Sequence, residues 1–453
     1  MNRAQVLAAA TGRSMRPVAL ALVLGFSPVG HSASNPPPGS WVAGLDALYP
    51  SLESLYMDLH RNPELSLHEE RTAATLAAKM RAIGFVVTEH VGGTGIVAVL
   101  KNGAGPTVLV RTDMDALPIK EATGLPYAST VTVKDAAGTL TPVMHACGHD
   151  VHMTSWVGAA TLLAQSKDSW RGTLVFVGQP AEELVQGAAA MLEDGFLKRF
   201  PHPDDSIAIH DSALYASGTV SIVSGFALAN VDMVDVTIYG RGGHGAAPHL
   251  AVDPIVIAAR TIVALQTIVA REVNPLDPAV VTVGSIHGGT KHNIIPDEVK
   301  LQLTVRSYKQ DVQKQLLAAI ERIARAEALA AGAPKEPTVA LAPKQSAVAV
   351  YNDPQLSERL AAALRRGLGD KSVVPGVPIM GSEDFGAFGT AARAPSVLIW
   401  IGAAEPGAFA KAQAAGTYVP NVHSALFAPD RVPTLRTGTA ALTLAALELL
   451  GRP

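Results

Sequence analysis

The run Thr173-Leu174-Val175-Phe176-Val177-Gly178-Gln179-Pro180-Ala181-Glu182-Glu183 carries an apolar, strand-like segment straight into a paired carboxylate. Two other short β-branched runs end in a similar way. Thr107 to Val110 leads to Asp113 and Asp115, and Ile207 to Ile209 leads to His210. In open α/β sheets, ligands bind beyond the carboxyl ends of the strands. Three independent strand ends would therefore bring acids and a histidine to one crevice.

The surrounding pattern supports such a sheet. Apolar residues recur at helical spacing from Leu45 to His60, from Glu69 to Ile83 and from Val151 to Ala164, and Gly84 reads as a C-cap. Phe85 to Thr88 and Ile96 to Leu100 read as further strands, so strands alternate with helices. Val131 to Thr141 is polar, with turn material at its centre, and predicts a surface hairpin.

Near Phe226 the pattern changes. Asp232 to Tyr239 alternates, Pro254 to Arg271 reads as a helix, and Ala279 to Ile286 and Val299 to Arg306 read as strands. Val312 to Ala331 is a second helix. This predicts a compact α+β domain over 226–338, with its exit at Gly332 to Pro337. It would be inserted between a first catalytic part, 45–225, and a second, 339–453. Pro354 to Gly367, Ser396 to Ile401 and Arg431 to Leu450 would return to the first sheet. At 453 residues the chain is also long for a single core.

Arg13 and Arg16 precede the apolar run Val18 to Phe26, and small residues follow at Ser32-Ala33-Ser34. That order predicts a signal peptide over 1–34 and a periplasmic or secreted mature chain. The formal net charge is −3, with no Lys/Arg run beyond the amino terminus, so neither nucleic acid nor membrane is expected as a partner. One cysteine excludes an intrachain disulfide.

That cysteine lies in Met144-His145-Ala146-Cys147-Gly148-His149-Asp150. A free Cys is often a small buried hydrophobe. Two residues from a histidine, it also offers half of a thiolate–imidazole site, and the Glu pair supplies what such a site lacks. Thiolate, imidazole and carboxylate form a zinc-type ligand set, while a second, unliganded Glu can serve a metal hydrolase as base. Of Glu182 and Glu183, one would bind metal and the other move the proton. Adjacent residues at a strand end point in different directions, so the two need not share a role.

Several longer motifs occur in one order: Arg111-Thr-Asp-Met-Asp-Ala-Leu-Pro118, the Cys-His cluster, Gln179 to Glu183, Gly240-Arg-Gly-Gly-His-Gly-Ala-Ala-Pro248, Asn293-Ile-Ile-Pro296, Gly381-Ser-Glu-Asp-Phe385 and Asn421-Val-His-Ser424. With His60-Arg-Asn-Pro-Glu-Leu65 in front, the chain resembles the hippurate hydrolase and auxin-conjugate amidohydrolase branch of the aminoacylase/carboxypeptidase metallopeptidase family, over roughly residues 45 to 450. The resemblance implies an α/β fold: a zinc-peptidase-like catalytic domain with a mixed sheet flanked by helices, plus an inserted α+β satellite domain that dimerises. It implies two divalent metal ions per subunit, zinc or else manganese, cobalt or nickel, held by Cys147, His149, Glu183, His210 and His423. Glu182 would be the general base and Asp115 would orient a ligand from behind. His244, reaching across a dimer interface, would polarise the scissile carbonyl or stabilise the oxyanion. Asn293, Arg306 and Gly381 would hold the substrate's carbonyl and carboxylate.

The activity implied is hydrolysis of the amide bond of N-acyl amino acids, or of small peptides with a free carboxylate, in a homodimer or higher homo-oligomer. A carboxypeptidase or dipeptidase, or a non-catalytic metal- or peptide-binding protein, could use the same scaffold. Three stretches depart from the branch. Ser424 is followed by Ala425 where Ser-Pro is usual, the residues after His210 differ, and the Val131 to Thr141 segment is longer. None removes an expected ligand, and the last two bear on substrate choice.

Overall fold

The computed structural model describes residues 39–134 and 138–452. The expected signal peptide lies outside these residues. The chain opens with helices α1 (Gly39–Arg61) and α2 (Glu70–Ile83), and Gly84 takes the left-handed conformation that caps α2. Strands β1 (Val86–Val91), β2 (Gly95–Asn102) and β3 (Thr107–Asp113) follow, then the short pair β4 (Thr132–Lys134) and β5 (Leu140–Pro142). Next come α3 (His149–Gln165), β6 (Gly172–Gln179), α4 (Gly187–Glu193), α5 (Phe196–Arg199), β7 (Asp205–Ala216) and β8 (Val220–Ser221).

After β9 (Gly225–Leu228), the chain builds β10 (Asn230–Tyr239), β11 (Gly243–His244), α6 (Pro254–Thr267), β12 (Ala279–His287), β13 (Ile294–Ile295), β14 (Glu298–Ser307), α7 (Gln310–Ala330) and β15 (Thr338–Ala347). It returns through β16 (Val350–Asn352), α8 (Pro354–Leu368), α9 (Gly386–Ala392), β17 (Ser396–Ala404), α10 (Pro406–Ala414) and α11 (Arg431–Leu449).

The larger sheet is mixed, in the order β1-β2-β6-β3-β7-β17-β8. Its four middle strands run parallel, and antiparallel strands close both sides. Parallel strands covered on both faces read as near-continuous apolar runs, and all nine residues of β17 are buried. One face packs on helices through Leu59, Leu76, Trp156, Leu360 and Leu442, the other through Met191, Phe196, Phe385 and Phe388. Helix α3 is buried nearly all round, which fits its weak amphipathicity.

The smaller sheet runs β12-β14-β10-β15, entirely antiparallel, with α6 and α7 packed on it around Ile257, Leu265, Leu301, Leu316 and Ile320. Its β-α-β-β-α-β order contains one strand more than the sequence led us to expect. Gly332 to Pro337 is a turn within this unit rather than its exit, because β15 continues beyond it and pairs with the otherwise open edge of β10. The chain leaves and returns side by side, with β9 paired to β16.

The helix over Pro254–Glu272 is, by length and composition alone, apolar enough to cross a membrane, which was not expected from the sequence. In this fold Ile257, Ala258, Thr261 and Leu265 pack it on the sheet, while Val256 and Val263 are exposed.

Candidate metal centre

The middle strands deliver the polar residues at their carboxyl ends. Asp113 closes β3, Gln179 closes β6, and β7 presents His210 and Asp211. Contrary to expectation, His210 does not end its strand, since β7 continues to Ala216. Cys147 lies just before α3, and His149 is the first residue of that helix. Gly148 between them has φ +77°, and a Cβ there would lie 2.1 Å from Asp211 Oδ1. Only glycine lets the turn approach that carboxylate so closely.

All five expected ligands come together. Cys147, His149 and His210 form one group of donor atoms within 4.8 Å of one another, and Cys147, Glu183 and His423 form a second. The Cys147 Sγ lies 3.5 Å from His210 Nε2. His423 Nε2 lies 3.4 Å from Glu183 Oε2. His423 has φ +65°, and its N–H donates to the Ala146 carbonyl at 2.7 Å. Asn421 ties the same loop to β7 by accepting the Ala213 N–H at 2.7 Å.

Both buried imidazoles are oriented from behind. His149 Nδ1–H donates to the Asp115 carbonyl at 2.8 Å, and His210 Nδ1–H donates to the Asp211 carbonyl at 2.7 Å. These bonds set the tautomer and turn each Nε2 inward. The buried His149 Nε2 and Glu183 Oε1 have no hydrogen-bond partner among the described residues. Buried polar atoms are normally paired, and these two aim into one cluster of acids and imidazoles. A divalent cation fits that donor set.

The Glu182–Glu183 pair differs from expectation. Its residues lie in a turn beyond β6, with positive φ at Ala181 and Val185, so strand alternation does not separate them. Glu182 Oε2 and Glu183 Oε1 approach His149 Nε2 at 3.8 and 3.9 Å. Asp115 holds the turn: its carboxylate accepts from the Glu182 N–H at 3.1 Å, the Glu183 N–H at 3.0 Å and the Ser66 hydroxyl at 2.6 Å.

Burial, with Glu383 and Glu183 beside it, pushes the Glu182 carboxyl well above the usual carboxylate range. Burial, with Glu183 and Glu182 nearby, pushes the Cys147 thiol up. Burial opposes charge on His149, yet Asp113 and Asp115 raise it to about 10. The cluster is thus rich in negative charge and draws protons when nothing else neutralises it.

Arg111, Gln179, Asp211, Glu383 and Asp384 support the cluster and were given no role from sequence, whereas His152 was expected behind the ligands rather than among them. His152 lies between Asp113 Oδ1 at 2.7 Å and Asp211 Oδ1 at 3.1 Å, and these carboxylates raise it to about 9 against its burial. Behind Asp113, the buried Arg111 guanidinium donates to Asp113, Gln179, Glu383 and Asp384. These residues stand inside or beside the motifs, which is the signal that could have found them.

His60 forms a further buried bridge, from Asp150 Oδ2 at 2.6 Å to Glu121 Oε1 at 3.1 Å. Burial opposes its charge, but the two carboxylates raise it to about 9. A raised histidine contributes stability that is complete below the unfolded value near 6.5 and lost as pH rises through about 9. The unfolding free energy of the native protein, from denaturation curves, should therefore fall over that window by on the order of 3 kcal/mol. His60→Gln should flatten the decline, and an unchanged slope would contradict this role.

The remaining expected residues form two other groups. His244 and Asn293 share the exposed β11–β13 ribbon, where His244 pairs with Ile294 and the Gly245 N–H donates to the Asn293 carbonyl. Among the described residues, no hydrogen bond or ion pair joins them to the Cys147 cluster. Arg306 on β14 donates to the Met380 carbonyl at 2.8 Å, which places it beside Gly381.

A sequence model described as peptidase family M20/M25/M40 matches residues 109–419. Hippurate hydrolase of Campylobacter jejuni is 36% identical, over 74% of this chain and 84% of its own length. Thermostable carboxypeptidase 2 of Saccharolobus solfataricus is 34% identical, over 86% of this chain and 93% of its own. Among solved structures, the Bacillus subtilis YXEP protein, titled a dinuclear metal binding peptidase from the M20 family, superposes with a TM-score of 0.70 at 28% identity, covering 89% of this chain and all of that one.

Proposed function

The chain belongs to peptidase family M20/M25/M40, a family of metal-dependent amide hydrolases, and from that premise we propose that it cleaves N-acyl amino acids or small peptides bearing a free carboxylate. The observation that carries this reading is the unpartnered pair His149 Nε2 and Glu183 Oε1, facing the donors of Cys147, His210 and His423. These five residues would hold two divalent ions. A thiolate–imidazole–carboxylate set suits zinc, and manganese, cobalt or nickel can take the same donors.

Bound divalent metal supplies Lewis acidity, which acidifies water and polarises an amide carbonyl. Glu182 takes the proton from the attacking water on its carboxylate and hands it to the leaving amide nitrogen. Asp115 keeps Glu182 and Glu183 in register through their backbone N–H groups. Arg306 and Gly381 mark where the substrate carboxylate is held, and a planar guanidinium matches that group. His244 and Asn293 act at the carbonyl, with His244 supplied across a homodimer interface.

The experiment is a turnover panel of benzoyl-, acetyl- and aminoacyl-amino acids and amino-terminally blocked tripeptides on metal-loaded protein. Preference for N-acyl substrates supports the amidohydrolase reading. Preference for unblocked dipeptides would replace it with a dipeptidase, and preference for blocked longer peptides with a carboxypeptidase.

A further inference from the structure

A cavity of about 950 Å³ lies between the loop after α1 and the β4–β5 hairpin. Resting on the amide-hydrolase reading, we propose that this cavity is the acyl subsite and takes a large apolar acyl group, a long alkyl or arylalkyl chain, with the hairpin as its specificity wall.

Glu183, which lies 3.9 Å from His149 Nε2 and 3.4 Å from His423 Nε2, also lines the cavity. A group lodged there abuts the atoms where the amide must be cleaved. The walls supply the chemistry: Leu65, Leu117, Val131, Val133 and Leu184 converge from four separate segments. Leu184 remains 37% exposed directly beside the Glu pair, an open apolar surface for a ligand to cover.

Charges on the lining do not favour a carboxylate inside. Arg71 is engaged with Asp58, and Glu64 accepts backbone N–H groups at the start of α2. Lys134 is exposed at the outer end of β4, and His68 is exposed as well. Arg306 and Gly381 do not line the cavity. The carboxylate end and the acyl end of the substrate therefore have separate places. The volume lies at the upper end of the range for small-molecule pockets, far beyond what an acetyl group fills.

The reaction balances as hydrolysis. Water adds to the amide carbon and the C–N bond breaks. The acyl group leaves as a carboxylic acid, and the amino acid takes the proton on nitrogen.

The test compares kcat/KM for N-acetyl, N-butanoyl, N-hexanoyl, N-octanoyl and N-decanoyl derivatives of one amino acid, using the full chain loaded with metal. Values should rise roughly fourfold per added methylene until the cavity is filled. Val133→Trp and Val133→Asp, which respectively fill and charge the wall, should each lower the decanoyl-to-acetyl ratio at least about tenfold. A flat acyl profile with intact turnover, or a loss shared equally by every chain length in both variants, overturns the subsite and leaves the amide-hydrolase reading standing. No turnover on any acyl chain or peptide overturns that reading and the subsite together.

Discussion

Glu182→Gln is expected to lose about 10²- to 10⁴-fold in kcat while keeping its full metal content. The substitution preserves size and removes the group that carries the proton. The backbone stays anchored, because the hydrogen bond to Asp115 comes from the residue 182 N–H rather than from the side chain. Stability should hold or rise: the carboxylate is buried and faces Glu383, Glu183 and Asp384, so a neutral amide relieves repulsion. Turnover, bound metal and thermal midpoint measured on one preparation separate the possibilities. Near-normal turnover with full metal removes Glu182 from the mechanism, whereas lost metal would make it a ligand.

Arg111→Met should cost about 3–5 kcal/mol of stability. The guanidinium is buried and makes five hydrogen bonds, one each to Gln179, Asp113 and Asp384 and two to Glu383. Methionine fills much of the space and leaves three carboxylates facing one another in the interior. Burial already raises Asp384 to about 7 against the pull of Arg111, so the variant should take up protons and recover part of the loss below neutral pH. Adding Glu383→Met removes one stranded charge and should also restore part of the loss. Denaturation curves at several pH values check this, and a change within about 1 kcal/mol would contradict the network's structural weight.

The larger sheet was legible because its middle strands are apolar runs that end in charged residues. Gly84 and the ends of α8 and α11 fall close to the expected boundaries. β15 escaped notice because Pro343 interrupts its strand pattern, and its pairing with β10 shifts register between Asp232 and Val234. His210 looked like a strand end because a polar pair, Asp211-Ser212, follows it, yet these residues are buried and β7 continues.

The expected ligands could be named because Cys147, His149, Glu183 and His423 lie in compact motifs, with His210 at a strand. Asp113, His152 and Asp211 lie far apart in sequence and meet only when α3 crosses the carboxyl ends of β3 and β7. Periodicity carries no record of that contact. The hairpin was legible as a hairpin. The cavity it walls depends on Leu65 and Leu184, which no local pattern connects to it.

If the Cys147 cluster holds metal, amide hydrolysis depends on that metal. The most direct measurement strips the protein with chelator, titrates zinc or manganese back, and follows bound metal and N-acyl amino acid hydrolysis together. Hydrolysis should vanish on stripping and return to a plateau at two ions per chain, and Cys147→Ala should lower the metal bound at that plateau. Hydrolysis that survives complete stripping, or full metal binding with no turnover of any N-acyl amino acid or peptide, would contradict this reading.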